Sequence, residues 1–108
     1  KKGNNMAYVR INMAEVESRE EMQRTIEPLQ KNMKSIFPEM RLFIAVETSE
    51  TSMLGVSVYD DKDAADRAVV NRAKHLEDKE IKDNFTFEGL VNCFYADKEQ
   101  LENLLKTY

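Results

Sequence analysis

Hydrophobic and polar residues alternate along several stretches of the chain, and elsewhere the hydrophobic residues recur every three or four positions. Alternation predicts a β-strand, whereas a spacing of three and four predicts one buried stripe on a helix. Strands are predicted at 7–13, 40–47, 53–59 and about 85–95. Helices are predicted at 18–36, at about 62–76 and, as a short terminal helix, after residue 97.

Capping residues mark where the predicted helices begin. Ser18 and Glu21 have the spacing of a capping box, and Asp61 is a good N-cap for the second helix. Pro28 removes a backbone hydrogen bond from the first helix, which predicts a kink near residue 27. The charged segment 77–84 is predicted to be a loop or a frayed helix end.

The element order is β-α-β-β-α-β with a terminal helix, and it favours one architecture. The polar segment 48–52 predicts a hairpin that makes the second and third strands antiparallel neighbours. We therefore predict an α+β, ferredoxin-like domain with a four-stranded antiparallel sheet and both main helices on one face. It spans residues 6–108, and residues 1–5 are predicted to be a flexible lead.

The two faces of the predicted sheet differ in chemistry. One is aliphatic, and we expect it to take the helices; its members are Val9, Ile11, Leu42, Ile44, Val46, Leu54, Val56 and Val58. The other mixes aromatic and polar groups, namely Tyr8, Arg10, Asn12, Arg41, Phe43, Ser57 and Tyr59. Such a mixed face needs a cover, and a second copy of the sheet is the simplest one. The faces of the fourth strand stay open, because a bulge near Gly89 would exchange them.

Composition and charge exclude several classes of function. The net charge of −4 gives no basic field for nucleic acid or an anionic membrane, and no segment resembles a membrane span or a signal peptide. The single Cys93 favours a reducing, cytoplasmic setting and has no partner for a zinc site. The acids at 60, 61 and 63 lack the glycine and the downstream glutamate of a calcium loop. No metal or cofactor is predicted.

The stretch LFIAVETSETSMLGVSVYDDKDAADRA, residues 42–68, resembles the dimeric α/β-barrel proteins related to antibiotic-biosynthesis monooxygenases. The shared pattern is a strand, a polar hairpin, a strand ending in an aromatic residue, a capping acid and an Ala-rich helix. The same element order extends over about residues 7–95. The resemblance implies a homodimer in which two ferredoxin-like sheets lie face to face and enclose ligand cavities. Members include cofactor-free oxygenases of aromatic molecules, haem-degrading oxygenases and proteins of no known activity.

The resemblance places a ligand cavity at the mixed face. The candidate catalytic residues are Asn12 and Tyr59, and the candidate substrate-binding residues are Arg10, Phe43, Ser57 and Asn92. These side chains could steer or deprotonate a small aromatic or quinone-like molecule. Structural roles are the alternative at each position: Tyr59 as a core ring, Asn12 and Ser57 bonded to each other, and the arginines paired with Glu47 or Glu88 across subunits.

The haem-degrading branch is similar to this chain at Asn12, Tyr59 and His75, but it has a Trp at the aromatic position and this chain has none. His75 also lies further along the second helix than that branch's axial His, at a place where a histidine is usually a surface residue. Two functions stay open. One is a cofactor-free, monooxygenase-like homodimer; the other is a non-catalytic barrel that binds a small molecule or serves as a stress or accessory protein.

Overall fold

The computed structural model of the protein describes residues 6–77 and 81–108, of which 81–83 as backbone only. Its elements are β1 (Tyr8–Val16), α1 (Arg19–Ile36), β2 (Met40–Glu47), β3 (Ser52–Tyr59), α2 (Lys62–Leu76), β4 (Ile81–Leu90) and α3 (Lys98–Leu105). This order confirms the predicted βαββαβ arrangement with a short terminal helix. The predicted flexible lead, 1–5, lies outside the described residues.

The four strands form one antiparallel sheet in the order β2-β3-β1-β4. β1 and β3 are the central strands, with Tyr8 opposite Tyr59 and Asn12 opposite Gly55. The hairpin between β2 and β3 is confirmed, and its polar side chains bond one another: the Ser52 hydroxyl lies 2.7 Å from that of Thr48. This strand order, with α1 and α2 as the crossover connections, gives the predicted ferredoxin-like fold.

Both main helices begin at the predicted caps. The Ser18 hydroxyl accepts a hydrogen bond from the Glu21 amide at 3.2 Å, and the Asp61 carboxylate accepts one from the Ala64 amide at 2.9 Å. The predicted kink near residue 27 is wrong, because the non-helical backbone of α1 lies at Asn32, with φ −125° and ψ 25°. Asparagine side chains compete for backbone hydrogen bonds, which weakens a helix interior at that position.

The helices cover the mixed face of the sheet, so the expected assignment of the two faces was wrong. The rings of Tyr8 and Tyr59 are buried in the helix-facing core, where they pack near Ala65 and Ala68 of α2. Small helix residues leave room for large sheet residues, so the layers fit at normal packing density. The aliphatic composition of a sheet face does not show that helices cover it, because an interface between subunits can be as apolar as a core.

The aliphatic face is left open on the other side of the sheet. The pairing of β1 with β4 adds aromatic side chains to it, since Phe87 lies opposite Ile11 and Phe85 opposite Met13. Phe87 is 60% exposed and Ile44 53%. Together with Met13, Phe85 and Phe87, the eight aliphatic residues named above form what we call the open face; Val58 is its one buried member, at 7% exposed, and the others are exposed or half-buried.

The fourth strand differs from its prediction in position. It begins at Ile81 and ends at Leu90, so residues 81–84 belong to a strand instead of a loop, while 78–80 lie outside the described residues. Pairing with β1 is regular through Gly89, and the register shifts instead at Glu15 and Val16. The bulge considered at Gly89 is therefore absent. Alternate residues of the strand stay on the same face of the sheet through Gly89.

Candidate functional site

A cavity of about 80 Å³ lies between the sheet and the two main helices. β1, β2 and β3 supply its floor and α1 and α2 its roof. Its polar and aromatic walls come from Arg10, Asn12, Phe43, Ser57, Tyr59, Arg72 and His75, and aliphatic residues such as Ile26 and Leu29 fill the rest. Ligand pockets usually measure about 300–1,000 Å³, so this cavity is smaller than a typical ligand site.

Five of the six predicted site residues line this cavity: Arg10, Asn12, Phe43, Ser57 and Tyr59. Alternation along neighbouring strands brings them together, because Arg10 pairs with Ser57 and Ser57 with Phe43 across the sheet. Asn92 is different. It is exposed beyond the end of β4 and is absent from the cavity wall. The catalytic and binding roles assigned to these residues remain predictions.

Tyr59 and Ser57 are the most deeply buried polar residues of the cavity wall, each with 3% of its surface exposed. Burial raises the pKa of the Tyr59 phenol, and this outweighs the Ser57 hydroxyl and the guanidiniums of Arg10 and Arg72, which act to lower it. The phenol is therefore neutral at physiological pH. Tyr59 can donate a hydrogen bond to a ligand but cannot act as a base.

Arg10 is held by Glu88 of the neighbouring strand. Its Nη1 lies 3.3 Å from Glu88 Oε1, and the Tyr8 hydroxyl donates to the same oxygen at 2.9 Å. The hydrogen bond to Glu88 is the main cause of the raised pKa of Tyr8. The ion pair between Arg10 and Glu88 forms within one chain, so an inter-subunit pairing is not needed to explain these two residues.

Asn12 and Ser57 do not bond each other, contrary to the alternative raised for them. The Thr86 hydroxyl donates to Asn12 Oδ1 at 2.8 Å, and the Ser57 hydroxyl donates to the Arg10 carbonyl at 3.2 Å. With its oxygen engaged, Asn12 presents its amide N–H groups as donors. Among the atoms that the structure describes in residues 6–77 and 81–108, none accepts a hydrogen bond from those N–H groups.

α2 contributes two cavity residues that were not predicted, and the first is Arg72. It is half-buried, and its Nη2 donates to Asn84 Oδ1 at 3.2 Å. Burial and, second, the charge of Arg10 lower the pKa of Arg72. Arg72 lies four residues after buried Ala68, so the two residues share the inner face of α2. That spacing could have revealed it.

His75 is the second, and it lies in the cavity wall instead of on the surface. Its Nε2 is 3.1 Å from the backbone oxygen of Thr25 in α1. Because a carbonyl oxygen can only accept a hydrogen bond, Nε2 carries a proton. The spacing of 65, 68, 72 and 75 places His75 on the same inner stripe as Arg72.

Comparison with known proteins gives no sequence relative: no protein-family model and no curated protein matches the chain. Solved structures do match. A dimeric ferredoxin-like protein from an uncultured marine organism is 13% identical with a TM-score of 0.63, covering 83% of this chain and 98% of its own. The chain has the ferredoxin-like fold.

Two oxygenases share this fold with the chain. A Streptomyces coelicolor monooxygenase, solved with nanaomycin D, is 9% identical with a TM-score of 0.62, covering 87% of this chain and 95% of its own. A cofactor-independent oxygenase from Streptomyces nogalater is 15% identical with a TM-score of 0.56, covering 85% and 97%. These likenesses confirm, at the level of fold, the resemblance noted at residues 42–68.

Two searches over the described residues complete the survey of sites. No helix within 6–77 or 81–108 is both long and apolar enough to cross a membrane. No group of three or more His, Cys, Asp or Glu side chains in the same part of the chain is arranged to hold a metal ion. The cavity under the helices is therefore the site on which a function is argued.

Proposed function

We propose that the protein is a monooxygenase-like enzyme that oxidises a small phenolic or quinone-like molecule with molecular oxygen and no cofactor. The observation that carries the proposal is the cavity itself. It joins a buried neutral phenol, an amide with two N–H donors, an imidazole and the ring of Phe43 around one space. Oxygenases of the same fold support the reaction class.

The proposed reaction converts a phenol and O₂ into a para-quinone and water. The ionised ring transfers electrons to O₂, a C–O bond forms at the para carbon, and the O–O bond then breaks. One oxygen atom stays in the quinone, while the other leaves as water with the phenolic hydrogen and the para hydrogen. Electrons pass from the ring to O₂, so no further reductant is needed.

Each cavity residue has a place in this reaction. His75 is the group proposed to take the phenolic proton, because the guanidiniums of Arg10 and Arg72 and the neutral phenol of Tyr59 are donors. The Tyr59 hydroxyl and the Asn12 amide donate hydrogen bonds to the charge that develops on oxygen, which is where fixed donors lower a barrier most. Phe43 supplies a flat wall for the substrate ring.

Oxygen uptake with a panel of single-ring phenols that carry a hydrogen para to the hydroxyl group tests the proposal. Tyr59→Phe removes one donor and keeps the ring, so we expect kcat to fall by about 10²-fold with little change in ligand affinity. Tyr95→Phe is the matched control, because Tyr95 is 83% exposed and lies outside the cavity wall. Absence of oxygen consumption by the unaltered protein across the panel would refute the proposed activity.

The second candidate is a non-catalytic protein that binds a small molecule or serves an accessory role. This candidate is favoured because polar groups of the cavity already have hydrogen-bond partners: Asn12 bonds Thr86, and Ser57 bonds a backbone carbonyl. The cavity is also small, at about 80 Å³. Saturable binding of a phenol without oxygen consumption is the result that would distinguish it.

We also propose that the protein is a homodimer whose two sheets meet through the open face. Structures of dimeric ferredoxin-like proteins match the chain over 83% of its length. The cover that was expected for the mixed face is thus supplied by the chain's own helices, and the partner takes the aliphatic side. We place the protein in the reducing cytoplasm, where the exposed Cys93 would stay a free thiol.

A further inference from the structure

The walls of the cavity carry positive charge and no carboxylate. Among the described residues that line it, Arg10 and Arg72 are cations, His75 can become one, and Tyr59 is a neutral phenol; no Asp or Glu is present. Glu88, from β4, supplies the one carboxylate that reaches this group, and it pairs with Arg10 at 3.3 Å. This single negative charge therefore matches only one of the two guanidiniums.

Arg72 is the cation left without a carboxylate. Its hydrogen bond goes to the neutral amide of Asn84, and no salt bridge involves it within the part of the chain that the structure describes. Arginines on the outside are paired: Arg67 makes two bonds of 2.7 Å to Glu39. A half-buried charge is costly unless an opposite charge accompanies it. The unmatched charge thus faces the cavity.

We infer that the cavity takes a single-ring aromatic carboxylate, whose carboxylate oxygens accept hydrogen bonds from Arg72 while the ring lies against Phe43. The planar fork of a guanidinium fits two carboxylate oxygens at once. The volume of about 80 Å³ limits the ligand to one ring. The inference rests on the cavity of the proposed function and narrows its substrate class, from phenols in general to hydroxylated aromatic acids.

Calorimetric titration with benzoate and benzamide tests the charge directly, since the two molecules share a shape and differ in charge. We expect benzoate to bind at least about tenfold more tightly than benzamide, because a hydrogen bond to a charged group contributes about 1.5–3 kcal/mol. Arg72→Met should abolish this preference and leave benzamide binding unchanged, while Arg72→Lys should retain part of it. Thermal unfolding of each variant checks that the fold is kept.

Arg67→Met is the matched control, because it removes a cation from the outer side of the same helix. It should bind benzoate as the unaltered protein does. Equal affinities for benzoate and benzamide, no benzoate binding, an unchanged preference in Arg72→Met, or an equal loss in Arg67→Met would each overturn the inference. Binding of ionised 4-nitrophenol in preference to benzoate would also overturn it, by placing the charge on a phenolate.

Oxygen uptake with 3-hydroxybenzoate and 3-hydroxybenzamide separates this inference from the proposed activity, because both molecules keep a hydrogen para to the hydroxyl group. Benzoate binding that depends on Arg72, without oxygen uptake on either molecule, would sustain the anion site and refute the oxygenase. Uptake on 3-hydroxybenzamide alone would sustain the oxygenase and refute the anion site. Uptake on 3-hydroxybenzoate that falls about tenfold in Arg72→Met would support both.

Discussion

Gly55 affects the size of the cavity because it has no side chain beside the Phe43 ring. A methyl group on this residue would lie 3.2 Å from Cε1 and 3.4 Å from Cζ of the Phe43 ring, tighter than ordinary contact. The ring must then move by a few tenths of an ångström into a space of about 80 Å³.

Gly55→Ala should weaken binding of a ring-sized ligand by about tenfold while changing the free energy of unfolding by less than about 1 kcal/mol. The added methyl pushes Phe43 into the cavity, whereas the loss of glycine's chain entropy in the unfolded state offsets the crowding. Calorimetric titration and urea unfolding measure the two effects.

Gly89→Ala is the control for this change, because a methyl group there meets nothing within 4 Å. It should stabilise the fold by about 0.4–1 kcal/mol and leave ligand binding as it is. Tighter binding in Gly55→Ala than in the unaltered protein would contradict the role given to Gly55.

Cavity residues were predictable from the sequence where they lie on strands. Alternation fixed that Arg10, Asn12, Ser57 and Tyr59 share a face. Arg72 was missed because charged residues on a helix are expected to face solvent, although its spacing from Ala68 placed it inside. The contact between His75 and Thr25 depends on how α1 lies beside α2, which no local pattern encodes.

At the scale of elements, the local sequence predicted the helices and strands better than it predicted which face of the sheet the helices cover. Helix ends were predictable, since Ser18 and Asp61 bond the amides that their spacing implied. The covered side of the sheet was not predictable from hydrophobicity, because β1, β2 and β3 each carry apolar residues on both faces. The choice follows from fit: buried alanines of α2 pack near the two tyrosine rings.

Asp61→Ala should destabilise the protein by about 1 kcal/mol, because the Ala64 amide loses its acceptor at the start of α2. Asp63→Ala is the matched control: it removes an acid from the same first turn without removing the cap bond. We expect its cost to be about 0.5 kcal/mol or less. Urea unfolding measures both, and equal losses would refute the capping role.

At the scale of the whole molecule, the open face carries exposed apolar side chains on the side of the sheet away from the helices. Exposed side chains from β2 and β4, among them Ile44, Phe85 and Phe87, lie on one side of the sheet. Monomeric proteins rarely expose an apolar patch of this extent, so a partner surface is expected there. The barrel closure implied by the family resemblance remains a prediction that depends on this contact.

Ile44→Lys should weaken self-association by about 100-fold or more, because a charge would be desolvated in an apolar interface. Sedimentation at micromolar concentration should show twice the 12.6 kDa chain mass for the unaltered protein and 12.6 kDa for the variant. Val70→Lys should leave association unchanged, since Val70 is 62% exposed on α2, across the sheet from the open face. A monomeric unaltered protein would refute the proposed dimer.

The sheet separates the cavity from the open face, which has a consequence for stoichiometry. Every residue in the cavity wall comes from one chain, and the proposed partner would touch only the reverse side of the same strands. A dimer would then hold two complete cavities, back to back and a full sheet thickness away from the contact between subunits. Ligand would fill them independently, one equivalent per chain, along a hyperbolic saturation curve.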